Sequence, residues 1–245
     1  MIEWIDLPVL GAAALLSAFI GSVAGSGGST VLLPVLVLYF GIRDAVPIIT
    51  IANLSANLSR SVINRGEIVY PVVGWFTLGT VPASVLGAWL FTATPPEILT
   101  RLLGGLLISL VVWRRVRQLG LSPPRSRPAA WFLPLGTLFG FLEGLMGSVG
   151  PLMAPFFLAH GLMRGAYIGT DAFVTSVMQA IKLGVFGGAR LVGPGILAAG
   201  LTLVPFMVLG TMLGKKMLHR VSDSVFSILL ELVLVAAGLN FLIGG

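Results

Sequence analysis

Two glycine-rich turns, one in each half of the chain, have the residue types that best suit ligand binding. Residues 25–28 have the sequence GSGG and open a predicted helix, and residues 147–150 have the sequence GSVG. Glycine lets the backbone approach a ligand closely, and a helix N-terminus offers N–H groups and a positive dipole end. The turns therefore predict anion-binding positions at Gly25, Ser26, Gly27, Gly28, Ser29, Gly147, Ser148 and Gly150.

A stripe of polar residues runs along the third apolar segment of each half. Its members are three or four residues apart, so they share one face of a helix, and in apolar sequence such a face turns toward protein or a water-filled cavity. Arg60 and Lys182 supply one cation from each half, although Arg60 could instead mark a helix end and extend to the membrane surface. The third segments predict ligand contacts from Asn53, Asn57, Arg60, Thr170, Thr175, Gln179 and Lys182.

Three acidic residues lie inside apolar sequence, where a charged side chain costs about 2.5–3.5 kcal/mol on insertion scales. Glu143 and Glu231 are deep within their segments, and Asp171 begins the second polar stripe. Each is a candidate for proton coupling, or alternatively a hydrogen-bonded group that holds helices together. Asp171 is also a candidate counter-ion for Lys182, although about three turns of helix separate the two residues.

The elements that position these residues must be membrane helices. Of the 245 residues, 56% are hydrophobic and only 10% are charged, and the mean hydropathy is +1.02. These proportions leave too little polar surface for a water-soluble domain of this size. Long continuous apolar runs favour helices over a β-barrel, whose segments are short and alternating. The chain is therefore predicted to be an all-α integral membrane protein.

Other function classes find little support in the sequence. The net charge of +6 includes a basic stretch at residues 114–127 that contains no acid, which is typical of a cytoplasmic loop and carries no nucleic-acid motif. The chain has no cysteine, and neither His160 nor His219 has metal-ligand spacing. No deep histidine is available as a base for the serines of the turns. We expect no catalytic residue, metal, cofactor or nucleic-acid partner.

The apolar segments form two lists that match in order and in length. They lie at residues 7–24, 29–40, 45–64, 70–91 and 97–113, and again at residues 129–147, 151–163, 166–187, 193–214 and 224–244. The glycine-rich turn recurs at the same place in both lists. This match predicts two membrane repeats of about four or five segments each, at residues 1–113 and 129–245, joined by a cytoplasmic linker at residues 114–128.

The basic residues predict that the two repeats are inverted. With the linker inside, counting segments places Arg60, Arg65 and Lys216 on the cytoplasmic side, so each repeat has an odd number of crossings. The second segment of each half has about 12 residues, which at 1.5 Å per residue cannot span roughly 30 Å. It is predicted to be a half-helix that follows the glycine-rich turn. Such half-helices form binding sites near the membrane midplane, although a packing kink is the alternative.

Several local sequences together resemble one known family. They are the turn at 25–28, Pro34, the stretch 41–50, the loop 65–67, Pro82 and Gly87. The combination is similar to the TauE/SafE sulfite exporter family, also called the toluene sulfonate uptake permease family, over nearly the whole chain. The resemblance implies a multi-pass permease of the inner (plasma) membrane for sulfur-containing or related organic anions. Val149 departs from the glycine run that the family favours at the second turn.

The combined prediction is a secondary transporter that exports a small sulfur-containing anion, such as sulfite, thiosulfate or an organosulfonate, by alternating access, with a proton as the candidate coupling ion. A passive anion channel and a transporter of a non-sulfur organic anion are the alternatives. The predicted partners are the small anion and the lipid bilayer. The sequence leaves open which anion is carried, the direction, the coupling ion, whether the short segments cross or re-enter, and the oligomeric state, a homodimer included.

Overall fold

The computed structural model describes residues 7–24, 29–118, 128–147 and 149–217, together with residues 235, 239, 241 and 242. All regular structure in these ranges is helical, which confirms the predicted all-α class. A chain surrounded by lipid has no water to satisfy its backbone N–H and C=O groups, and a helix pairs them within the segment.

Eight α-helices make up the described part of the chain. They are α1 (Leu7–Ala24), α2 (Ser29–Ile63), α3 (Tyr70–Ala93), α4 (Pro96–Gln118), α5 (Phe132–Met146), α6 (Gly150–Ala159), α7 (Arg164–Gly188) and α8 (Pro194–Met217). Short 3₁₀ turns at Arg65–Glu67 and Ala129–Trp131 precede α3 and α5. Each helix lies within a few residues of a predicted segment. The last predicted segment, 224–244, falls almost entirely outside the described residues.

Two glycines with left-handed backbone join the short second segments to the long third segments. Gly41 has φ 70° and ψ 164° and breaks α2 into residues 29–40 and 42–63, and Gly161 has φ 93° between α6 and α7. Only glycine adopts such values without a steric penalty. The ten residues of α6 are about 15 Å long at 1.5 Å per residue, which is half a bilayer core.

Within the described residues, four helices are long and apolar enough to cross a membrane. These spans are Val31–Ile63, Tyr70–Ala93, Ala129–Met146 and Pro194–Gly214. The apolar part of α1, Leu7–Ser22, is shorter. The 25 residues of α7 have the length of a span but include Asp171 and Lys182. The described helices therefore make a multi-pass membrane protein. One boundary differs from expectation, because α4 continues to Gln118 and makes the start of the predicted linker helical.

Small residues bring α3 and α5 into close contact. The four-residue spacing of Gly136, Gly140 and Gly144 predicts such a face. Thr80 Oγ1 donates a hydrogen bond to Gly136 O (3.0 Å), and Ser84 Oγ donates one to Gly140 O (3.0 Å). A Cβ atom at Gly144 would lie 2.7 Å from Ser84 O. The backbones of α3 and α5 touch because these side chains are absent.

The remaining packing places the two polar stripes in the interior. α1 packs along α8, and α2 packs against both α7 and α8, while α3 contacts α7 as well as α5. α2 and α7, which carry the stripes, therefore lie side by side between the other helices. This arrangement buries Asn53, Asn57, Asp171, Gln179 and Lys182.

Candidate functional site

A small polar cavity lies where α1, α2, α5, α6, α7 and α8 meet, and we call it the central cavity. Its volume is about 30 Å³, which is room for roughly two water molecules. Its polar lining comes from both stripes and from two further helices. The lining residues are Ser17, Ala18, Gly21, Asn53, Ala56, Asn57, Arg60, Glu143, Gly150, Met153, Asp171, Thr175, Gln179 and Met207.

Arg60 turns inward, toward α1 and the central cavity. Its Nη1 donates a hydrogen bond to Gly21 O (2.7 Å), and its Nη2 donates one to Asn57 Oδ1. These contacts fix the guanidinium beside the cavity wall, since the acceptors lie on α1 and one turn back on α2. Arg60 therefore lines the central cavity, and it does so from the last turn of α2.

A larger space, which we call the outer cavity, also borders Arg60. Its volume is about 210 Å³, and Arg60 lines both cavities. The other lining residues are Ser22, Ile63, Asn64, Glu67, Gly165, Ile168 and Thr211. Glu67 is exposed at the surface of the protein. Arg60 thus borders both the central cavity and a space that reaches the exposed loop after α2.

The Glu143 carboxylate accepts hydrogen bonds from three donors. Its Oε1 accepts hydrogen bonds from Lys182 Nζ (3.2 Å) and from Gln179 Nε2 (3.0 Å), while Oε2 accepts one from the Val149 N–H (3.0 Å). Lys182 Nζ also donates to Glu143 O (3.1 Å). The side chains of this ion pair are 0% and 4% exposed. The carboxylate therefore ties α5 to α7 and to the start of α6.

This ion pair corrects one expectation about charge pairing. Asp171 was a candidate counter-ion for Lys182, but the structure pairs Lys182 with Glu143 on another helix. The reason is geometric, since Lys182 lies about three turns along α7 from Asp171. The Lys182 ammonium faces Glu143, and Lys182 is not among the residues that line the central cavity.

Asp171 lines the central cavity without a hydrogen bond to any described residue. It is buried, and its Oδ1 has no partner there. Gln179 donates from Nε2 to Glu143, and its acceptor Oε1 has no hydrogen-bond partner among the described residues. A buried polar atom is costly when it is unpaired. These atoms mark where water, a proton or a ligand would complete the site.

Several predicted residues lie away from the central cavity or outside the described ranges. Thr170 Oγ1 accepts a hydrogen bond from the Val69 N–H (3.0 Å), so it braces the start of α3. Gly147 ends α5 with φ 84°, and Gly150 lines the cavity at the start of α6. For Ser29 only the helical backbone is described. The predicted residues outside the described ranges are Gly25, Ser26, Gly27, Gly28, Ser148 and Glu231.

The α1 face of the cavity was missed from sequence. Ser17 and Gly21 are four residues apart in α1, so they lie on one face and lead toward the first glycine-rich turn. That small-residue spacing is the signal that was available. Met153 and Met207 also line the cavity, and their apolar side chains give no sequence signal that separates them from ordinary packing residues.

A cavity lined by a cation and by carboxylates among membrane-crossing helices is typical of multi-pass membrane transport proteins. The family model described as "Sulfite exporter TauE/SafE" matches residues 10–241, so the chain belongs to this family. A curated relative from Sinorhizobium sp., named "Probable membrane transporter protein ORF9", is 25% identical over 243 residues, covering 96% of this chain and 92% of the relative. No solved structure matches. The family and this name indicate a membrane transporter, not an enzyme.

Proposed function

We propose that this membrane transporter is a secondary carrier that exports a small sulfur-containing anion, such as sulfite, thiosulfate or an organosulfonate, by alternating access. The observation that carries the proposal is the Arg60 guanidinium beside the central cavity, next to the amides of Asn53 and Asn57 and the hydroxyl of Thr175. Guanidinium, amide and hydroxyl groups donate hydrogen bonds to oxyanions.

The charges around the cavity favour an anion over a cation. Among the described residues, Arg60, Glu143 and Asp171 line the cavity, and the charge of Glu143 is neutralised by Lys182 behind it. Arg60 is then the cation that faces the cavity, with Asp171 as its opposite. A cation in a poorly solvated site attracts an anion strongly because the local dielectric constant is low.

A contact that recurs in both halves supports an anion position beside Gly21. Arg60 Nη1 donates to Gly21 O, and Lys182 Nζ donates to Glu143 O. Gly21 and Glu143 each stand four residues before a glycine-rich turn. In the second half the Glu143 carboxylate occupies the space beside its cation. Gly21 has no side chain, so in the first half the equivalent space remains part of the cavity for an external anion.

The pairing of helices supports two repeats related by a twofold axis in the membrane plane. In this comparison α1 corresponds to α5, α3 corresponds to α8, and α2 corresponds to α6 together with α7. The contact of α1 with α8 then corresponds to that of α5 with α3, and the contact of α2 with α8 corresponds to that of α7 with α3. Each of these pairs is in contact. Gly41 and Gly161 also occupy equivalent positions. Inverted repeats of this kind alternate access by moving one repeat against the other.

The two cavities favour a carrier over a channel. The central cavity of about 30 Å³ is smaller than a sulfur oxyanion, while the outer cavity of about 210 Å³ has room for one. The outer cavity lies beside residues 64–67, which the basic residues predict to be cytoplasmic. A narrow central cavity with a wider space on this side suits loading of the anion from inside the cell, across the inner membrane.

Transport in proteoliposomes tests this function. We expect saturable uptake of radiolabelled sulfite, thiosulfate or methanesulfonate, accelerated by unlabelled anion inside the vesicles, because counterflow is a property of carriers. Arg60→Gln removes a charged donor and should weaken anion binding about 10- to 100-fold. Arg101→Gln, on the exposed side of α4, is the matched control.

Three results would contradict parts of the proposal. If Arg60→Gln binds the anion with unchanged affinity, Arg60 does not contact the anion. Equal uptake of acetate would favour a non-sulfur organic anion. Flux that does not saturate and shows no counterflow would favour a passive channel.

A further inference from the structure

Two of the three candidate coupling acids lie in the described part of the chain, and their surroundings differ. The Glu143 carboxylate accepts three hydrogen bonds, one of them from Lys182. Protonation of this group would break an ion pair that holds α5, α6 and α7 together. Asp171 accepts none from the described residues, is buried, and lines the same cavity. A proton can therefore bind Asp171 without breaking a hydrogen bond to any described residue.

The charged and titratable groups around Asp171 set what a proton would do. Arg60 faces it from α2 and Glu143 from α5, while Tyr167 lies one turn earlier on α7. α6 carries no titratable side chain, and α3 carries only Tyr70, exposed at its first residue. The 3₁₀ turn that also contacts α7 carries Arg65 and Glu67, both exposed. With the Glu143–Lys182 pair neutral, the described residues give the cavity one positive charge from Arg60 and one negative charge from Asp171.

An anion that enters this cavity meets the two charges together. With Asp171 ionised, the anion would give the cavity a net negative charge next to a carboxylate, which a buried site disfavours. With Asp171 protonated, Arg60 and the anion neutralise each other, and the acid O–H becomes a donor. Protonation of Asp171 therefore favours anion binding.

Resting on the proposed function, we infer that Asp171 is the proton-binding residue of the carrier, and that each anion binds together with one proton at Asp171 beside Arg60. The proton comes from the solution on the side to which the site is open and is released with the anion on the other side. No covalent bond forms or breaks apart from this O–H bond. Anion and proton move in the same direction, so an anion with a single negative charge crosses without net charge.

The inference is tested with methanesulfonate, because this sulfonate keeps one negative charge at all the pH values used. In wild-type protein its dissociation constant should fall by up to about tenfold per pH unit as the pH is lowered, since one proton is linked to one anion. Wild-type uptake into proteoliposomes should not respond to a potassium diffusion potential. Both readouts use the intact protein and need no substitution.

Asp171→Asn mimics the protonated acid. It should bind methanesulfonate with an affinity that does not change with pH, and its uptake should now be driven by an inside-positive potential, because the anion crosses alone. Asp44 is an exposed acid near the start of residues 42–63 of α2, and Asp44→Asn should behave as wild type. If Asp171→Asn fails to fold, Asp171→Glu should keep both the pH dependence and the neutral transport.

The possible failures are distinct. No binding of methanesulfonate, sulfite or thiosulfate to wild type at any pH would overturn the proposed function and this inference with it. Binding without pH dependence, or potential-driven uptake in wild type, would overturn the inference and leave anion transport in place. If the affinity of Asp171→Asn for methanesulfonate still depends on pH, the proton binds to another acid.

Discussion

The Glu143–Lys182 pair gives the sharpest test of how the second half of the site is built. The change is Lys182→Met, which keeps the length of the side chain and removes its charge. Because Nζ lies 3.2 Å from Oε1 and neither side chain is appreciably exposed, the attraction is about 5 kcal/mol at an effective dielectric constant near 20. Loss of one partner from a buried pair costs about 3–5 kcal/mol, since the other charge remains buried alone.

The double variant Glu143→Gln with Lys182→Met separates the pair from its individual members. Glutamine retains an acceptor for Val149 or Gln179, and no charge is left unpaired. We expect the double variant to lose only about 1–2 kcal/mol, because a neutral, well-packed replacement of a buried ion pair is often nearly neutral in stability. The measurement is equilibrium unfolding in detergent, combined into a double-mutant cycle. Lys216→Met, at an exposed position, is the control.

The cycle refutes the reasoning if the two single losses simply add. It also tests the predicted role of Lys182 as an anion ligand. If Lys182 acts by fixing Glu143, the folded double variant should bind the transported anion with nearly wild-type affinity. A folded double variant that binds no anion would show that Lys182 contacts the anion itself.

Two further predictions concern the backbone. Gly41→Ala should cost about 1–2 kcal/mol, because alanine is strained at φ 70°. Gly74→Ala in helical α3 should instead gain about 0.5–1 kcal/mol, because alanine favours a helix more than glycine does. Nothing lies within 4 Å of a Cβ at either site, so opposite shifts in melting temperature would reflect the backbone alone, and equal shifts would contradict the argument. Gly144→Ala should cost about 1–3 kcal/mol, because its Cβ would meet Ser84 O at 2.7 Å and push α3 from α5. Gly105→Ala, where the Cβ meets open space, is the control for unfolding in detergent, and matching losses would refute the packing argument.

The helices and the stripe residues could be predicted from the sequence because local rules determine them. Long apolar runs set the helices, and glycine at positions 41 and 161 marks the breaks. Spacing of three or four residues correctly grouped Asn53, Asn57 and Arg60 on one face, and that face lines the central cavity. These features depend on the geometry of one helix at a time.

The pairing of charges could not be predicted, because it depends on how different helices meet. Glu143 and Lys182 are 39 residues apart, and their contact requires the packing of α5 against α7. Thr170 illustrates the same limit, since its partner Val69 is 101 residues away. Periodicity showed that Thr170 lies close to a polar face, but it could not show that the hydroxyl is used to hold α3.

The contact between α1 and α8 has a consequence for how the chain is made. α1 ends at Ala24, and its partner begins at Pro194. At a synthesis rate of about 5–20 residues per second, roughly 10 to 30 seconds pass before α8 leaves the ribosome. During that interval the side of α1 that will face α8 has no final partner, and lipid or an insertion chaperone must cover it.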